Sequence, residues 1–236
     1  MRLRVIDIET TGQEPPAEII EFGRVDLTAE SRGCWRVGKP LARLYRPLQG
    51  IPPETAAVHH LTEEIIGPDA PVCTPEKLRL AVWGGDRPDV LVAHNSEFEQ
   101  SFIPEAVTSP LPWICTYKAA LRVWPEAPRH SNQVLRYWRG LRLDVILAMP
   151  PHRAAPDAYV TACLLVELLK SATVEEMIAW TREPKLLPTI PFGKHRGLKW
   201  IDAPRDYLEW LARQADMDPD VVWNARRELA ARPGRA

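Results

Sequence analysis

The chain is poor in cysteine, in long apolar runs and in charge of one sign. Its four cysteines (Cys34, Cys73, Cys115, Cys163) are scattered and form no C-x-x-C pair. That spacing excludes a paired-cysteine zinc site and reads as reduced thiols of an intracellular protein. No apolar stretch reaches the ~20 residues of a spanning helix, and the arginines of MRLRVIDIET are followed by no long apolar segment. The expectation is a soluble, cytoplasmic protein. No G-x-S-x-G elbow and no G-x-x-x-x-G-K-[ST] loop occurs, so a serine hydrolase and a P-loop enzyme are both unsupported. There is no internal repeat and no low-complexity tract. Lys and Arg (30) almost balance Asp and Glu (31), for a formal net charge of −1. That balance argues against a coat for polyanions.

What is present is ordinary globular material: 236 residues, 45% hydrophobic and 26% charged. The length suits one α/β domain with a small appendage, and it is ample for a core without metal or disulfide staples. The charge is uneven along the chain. Residues 1–183 carry 20 Lys and Arg against 24 Asp and Glu, whereas residues 184–236 carry 10 against 7. KLLPTIPFGKHRG, with two prolines and two glycines, breaks the pattern, so a domain boundary is expected near 184.

Val-, Ile- and Leu-rich segments bounded by Gly and Pro predict strands at 3–9, 18–27 and 41–46. IPPETAAVHH and LTEEII read as short helical pieces. TPEKLRLAVWGG reads as a helix capped by Thr74, with Pro75 in its first turn and Gly84 as its stop. DVLVAHNS predicts a strand, SEFEQSFIPEAV a helix starting from Ser96, and WICTYKAALRVW a strand passing into a helix. A short helix is expected near 132–138, a strong amphipathic helix from Pro156, and further helices over 173–182, 204–214 and 218–231. Strands first, then strand–helix alternation, predict a mixed sheet with helices on both faces.

Within the first strand, VIDIETTG carries Asp7 and Glu9. Residues two apart on a strand share a face, so these carboxylates repel each other unless a cation sits between them. Hard oxygen ligands of this kind suit Mg²⁺ or Mn²⁺. Alone, a D-x-E pair also fits an edge strand with solvated acids. AHNSEFE (93–99) follows a strand and opens a helix; His94 and Asn95 could position a substrate and Glu99 adds a carboxylate, while a plain capped helix start explains the same residues. HRAAPDA (152–158) holds Asp157 in a helix's first turn and His152 in the loop before it. That arrangement fits a metal ligand beside a general base, or simply a first-turn acid and a surface histidine.

Taken together and in this order, DIETTG, AHNSEFE and HRAAPDA resemble the three motifs of the DEDDh 3′→5′ exonucleases, the group that includes polymerase proofreading subunits. VHHLT (58–62), PWICTYKAALRVWP (112–125), SNQVL (131–135) and FGKHRG (192–197) extend the resemblance over nearly the whole chain. It implies a ribonuclease H-like fold, a mixed five-stranded sheet flanked by helices, over residues 1–183, with a small basic C-terminal module over 184–236. It implies two Mg²⁺ or Mn²⁺ ions on Asp7, Glu9, Asp157 and Glu99, with His152 as general base, and release of nucleoside 5′-monophosphates from DNA 3′ ends. Glu99 departs from the family, which has Asp there.

The resemblance also puts Thr10, Thr11 and Gly12 against the 3′-terminal nucleotide, with His59, His94, Asn95 and Asn132 as further substrate contacts. Gln13 stands where relatives often carry an apolar residue. Phe98 reads as core. Among nine tryptophans, Trp200 in the basic segment GKHRGLKW is the one expected either to grip nucleic acid or to anchor the module. The implied partners are DNA 3′ ends, single-stranded or duplex, a homodimer, and repair or replication proteins. The competing readings are an RNA-trimming exonuclease and a catalytically weakened nucleic-acid-binding protein of the same fold.

Overall fold

The computed structural model describes residues 1–30 and 33–232, so residues 233–236 of the C-terminal segment lie outside it. Six strands form one mixed sheet: β1 (Arg2–Thr10), β2 (Ile19–Ala29), β3 (Trp35–Val37), β4 (Leu41–Leu44), β5 (Val90–Ala93) and β6 (Trp113–Cys115). β1 is antiparallel to β2 and parallel to β5, and β5 is parallel to β6. The sheet is five positions wide, as expected. Two short strands share its outer position: β4 pairs with Glu21–Arg24 and β3 with Leu27–Ala29, both along the same edge of β2. Three-residue β3 carries too little alternation to be read from sequence.

Eleven helices are described: α1 (Pro53–His59), α2 (Glu63–Ile66), α3 (Pro75–Trp83), α4 (Glu97–Phe102), α5 (Glu105–Thr108), α6 (Thr116–Val123), α7 (Asn132–Trp138), α8 (Ala154–Leu168), α9 (Val174–Arg182), α10 (Arg205–Ala212) and α11 (Pro219–Ala231). α3 is built as its sequence predicts: the Thr74 hydroxyl accepts from Lys77 N, and Gly84 ends the helix. Ser96 does not cap α4 with its side chain; its hydroxyl is buried and accepts from Gln100. α8 starts two residues ahead of Pro156, which sits in the first turn, where a missing N–H costs nothing.

The two faces of the sheet bury different cores. On one face Leu3, Val5, Val25, Leu27, Val90 and Val92 pack against Ala158, Ala162, Leu165 and their neighbours on α8. On the other, Ile6, Ile8, Phe22 and Leu91 pack against Leu78, Val82 and Val107 of α3 and α5. The period of two on β1 therefore continues Leu3 and Val5 into Asp7 and Glu9 on the α8 face. A separate apolar cluster, including Ile190, Trp200, Leu208, Leu211 and Val221, lies in the C-terminal segment. No helix among the described residues is long and apolar enough to cross a membrane.

Candidate active site

The register of β1 with β2 sets the site. Asp7 lies opposite Gly23, and Glu9 opposite Glu21. A Cβ on Gly23 would come 2.1 Å from the carbonyl carbon of Ala154, so only glycine lets the start of α8 settle onto the sheet there. That close approach brings Asp157, in the first turn of α8, over β1. Asp7, Glu9 and Asp157 each offer a carboxylate oxygen within 4.8 Å of the others. Asp157 is buried, while Asp7 and Glu9 are half-buried.

The electrostatics are those of charges short of a counter-ion. Burial raises the Asp7 carboxyl well above its ordinary range, and Glu9, Asp157, Glu99 and Glu21 push it the same way. Glu9 is pushed up to about 8 by burial, then by Asp157 and Glu21, with Arg153 opposing. Burial raises Asp157 too, against hydrogen bonds that favour its charged form. Four acids in one poorly hydrated pocket cannot all ionise alone; a divalent cation reverses that cost.

Asp157 is held from both sides. Gln133 Nε2 donates to its Oδ1 at 2.8 Å, and His152 N donates to its Oδ2 at 2.7 Å. His152 takes a φ of 58°, a left-handed conformation that is costly for a residue with a Cβ. Its amide bond to Asp157 helps hold that turn, and its ring is left exposed.

Glu99 is buried on α4, 2% exposed, and its Oε2 has no hydrogen-bond partner. Burial raises its carboxyl to about 8, with Glu9 adding to the shift and its own backbone amide opposing it. It is not among the carboxylates that converge within 4.8 Å, so the expected four-acid ligand set is met geometrically by three.

Several residues expected to touch substrate spend their polar atoms on the protein instead. Thr10 Oγ1 donates to Gly12 O, and Thr11 Oγ1 accepts from Glu18 N. Both hydroxyls close the loop after β1, and both threonines are buried. Gly12 is needed for its small size, since a Cβ would lie 3.0 Å from that of Ala17. His59 is buried at 2% exposure and its Nδ1 accepts from Leu61 N. His94 is tied at both nitrogens, to Thr116 Oγ1 (2.9 Å) and His130 O (2.8 Å), and burial lowers its imidazole to about 4. Asn132 does not cap α7; its amide nitrogen donates to Thr161 Oγ1 and Asp157 O, pinning α7 to α8. Asn95 alone of this group has an exposed side chain, on a backbone at φ 72°. Phe98 packs with Phe102 against the core, as expected. Trp200 is 7% exposed and its Nε1 donates to Leu187 O, so it anchors the C-terminal cluster and offers no stacking face.

Sequence reasoning passed over Glu21, Gly23, Gln133 and Arg153. Glu21 is 1% exposed; Arg153 grips it through Nε at 2.9 Å and Nη2 at 2.8 Å, and Ala154 N donates to it at 2.9 Å. This pair ties the start of α8 to β2 beside Glu9. An acid and a glycine interrupting the apolar run EIIEFGRV were the available signal.

A mixed sheet with acids converging on its first strand, closed by a helix bearing the third motif's acid, defines a class as well as a shape. Residues 5–165 match the exonuclease family, and the chain belongs to it. It is a nuclease hydrolase with a ribonuclease H-like fold. Over 93% of its length it is 35% identical to Exodeoxyribonuclease 10 of Escherichia coli (strain K12), covering 94% of that protein. It is 30% identical over 71% of its length to the PolC-type DNA polymerase III of Bacillus subtilis, covering 11% of that protein. A solved structure, Exonuclease X in complex with 5′ overhanging duplex DNA, superposes with a TM-score of 0.62 at 34% identity, over 76% of this chain and 99% of that one. Residues 185–217 match a second family, described by its link to a quorum-sensing-regulated virulence factor.

Proposed function

We propose that this chain is a divalent-metal-dependent 3′→5′ exodeoxyribonuclease, hydrolysing the terminal phosphodiester of DNA 3′ ends to release nucleoside 5′-monophosphates. The observation that carries this reading is the convergence of Asp7, Glu9 and Asp157 within 4.8 Å, from a strand and a helix far apart in sequence. The 35% identity to a named exodeoxyribonuclease supports DNA as the substrate. Three carboxylates, two of them half-buried and all with raised pKa, are the hard-oxygen donor set that two Mg²⁺ or Mn²⁺ ions require. When bound, such ions supply Lewis acidity toward phosphate oxygen and water.

The protein's own residues do the rest. Asp7, Glu9 and Asp157 would hold the ions, with Glu99 completing the negative pocket. Hydrogen bonds from Gln133 to Oδ1 and from His152 N to Oδ2 fix the Asp157 carboxylate in place. His152, exposed and next to the cluster, would take the proton of the attacking water as general base. The loop 10–13, closed by Thr10 and Thr11, would meet the terminal nucleotide through its backbone, and Asn95 offers an exposed amide beside α4. We place residues 1–183 as the exonuclease domain and 184–236 as a basic module that adds substrate affinity, in a soluble cytoplasmic protein.

The test is degradation of 5′-end-labelled DNA and RNA strands with Mg²⁺, Mn²⁺ or EDTA, comparing the wild type with Asp7→Ala. The expected result is a metal-dependent, progressively shortening DNA ladder, faster than on RNA and absent in the variant. A ladder that persists in EDTA or in Asp7→Ala overturns the reading; faster RNA shortening reassigns the substrate.

A further inference from the structure

The C-terminal module turns Trp200 inward but leaves Trp210, at the end of another aromatic row, exposed. His195, Tyr207 and Trp210 form a contiguous ladder: the His195 and Tyr207 rings lie 4.4 Å apart between centroids, and Tyr207 and Trp210 stack at 5.7 Å with 28° between planes. Tyr207 and Trp210 are i, i+3 on α10, which places them on one face. His195 reaches them from the short 3₁₀ turn Gly193–His195. Glycines at positive φ, Gly193 at 69° and Gly197 at 83°, bracket this turn. A Cβ on Gly193 would sit 3.7 Å from the Tyr207 hydroxyl, so the turn lies directly on α10.

Trp210 is 48% exposed, in a module that buries Trp200 and leaves Trp223 half-buried. The same turn exposes Lys194, Arg196 and, just beyond it, Lys199. Of the acids beside this face, Glu209 is the one paired with cations among the described residues. Glu209 pairs with Arg205 at 3.0 Å and Arg213 at 3.6 Å, and Asp206 accepts from Tyr207 N. Positive side chains beside the exposed ring of Trp210, which Tyr207 backs from the half-buried side, match the two faces of a single strand: phosphates on one side, unpaired bases on the other. A duplex hides its base faces and could use only the charges.

The module is also tied to α4 through Lys185. Lys185 Nζ bridges Glu97 of α4 (3.0 Å) and Asp220 of α11 (3.3 Å), and its backbone exchanges hydrogen bonds with Asp220 and Asn224. α4 is the helix that carries Glu99.

We propose that the Gly193–Gly197 turn and the Tyr207–Trp210 face of α10 form a second, non-catalytic site that holds single-stranded DNA by base stacking and phosphate contact. This rests on the nuclease reading above for its ligand, and it adds a strand-type preference that the acidic pocket does not supply. The test uses the full-length Asp7→Ala protein in EDTA and a 5′-fluorescein dT20 strand, read by anisotropy. Tyr207→Ala and Trp210→Ala should each weaken binding about fivefold or more, Trp210→Phe should largely restore it, and a blunt 20-bp duplex should bind all of them alike. Lys194→Ala with Arg196→Ala should lower the slope of log affinity against log salt by about 1.4, at ~0.7 per contact on a single strand. All four positions are exposed or partly so, and unchanged melting temperatures would show that the variants fold. Wild-type dT20 affinity in Trp210→Ala, or an unchanged salt slope, overturns the proposal. So does a Trp210→Ala variant that separates a dimer at unaltered affinity, which would assign the aromatic face to a second copy of the chain. Failure of the Asp7→Ala protein to bind dT20 would overturn this proposal alone, whereas the nuclease reading stands or falls on the metal-dependent ladder assay above.

Discussion

Replacing Glu99 by Gln should stabilise the metal-free protein, and by an amount that depends on pH. The side chain keeps its shape and loses its charge in a site only 2% exposed, where Oε2 already lacks a partner. Its folded-state carboxyl sits at about 8 against an ordinary 4.5. The folded state therefore holds a proton that the unfolded state has released, so stability falls as pH rises from 4.5 through 8 and the penalty levels off above that. Between pH 5.5 and 8.5 that displacement amounts to about 3 kcal/mol, taking 1.36 kcal/mol per unit and partial protonation at both ends. Removing the charge also relieves Asp7, which adds in the same direction.

Urea denaturation in EDTA at the two pH values measures this. Glu99→Gln should gain about 3 kcal/mol more over wild type at pH 8.5 than at pH 5.5, or ~6–12 °C in melting temperature for a chain of this size. Activity should fall, since the pocket loses one of its acids. An equal gain at both pH values would refute the claim that an unpaired buried charge is what the pocket carries.

The same logic predicts that Mg²⁺ or Mn²⁺ at 100 times its dissociation constant stabilises the wild type by about 2.7 kcal/mol, chiefly at pH 8.5, with Asp7→Ala showing little shift in the same melting assay. Gly23→Ala should destabilise by about 1–3 kcal/mol or more in denaturant and cost about 10²-fold in rate, because the start of α8 must back away from β2. Arg153→Met should cost about 3–5 kcal/mol by stranding Glu21, and adding Glu21→Gln should return much of it in a double-mutant cycle. Glu99→Asp, which restores the family's residue, should shift the ratio of Mg²⁺- to Mn²⁺-supported rates; an unchanged ratio and rate would mean the extra methylene is absorbed.

Some of this was readable in one dimension because it rests on local periodicity. Alternation on β1 put Asp7 and Glu9 on one face, and the Thr74–Pro75–Gly84 signals bounded α3. The order of the three motifs carried the exonuclease likeness, and the matched residues bear it out.

Other features depend on contacts between distant segments. Nothing in HRAAPDA alone says that Asp157 will meet β1; the missing side chain of Gly23 and the Glu21–Arg153 clasp bring it there. The polar residues of the motifs looked alike in sequence, yet His94 and Asn132 spend their donors inside the fold while Asn95 stays exposed. Trp200 and Trp210 have equally polar neighbours, and only packing turned one in and left the other out. A side chain's type and period are set by the chain itself, but whether its polar atoms remain free for a ligand is decided by which other segments reach it first, and that is a property of the tertiary structure.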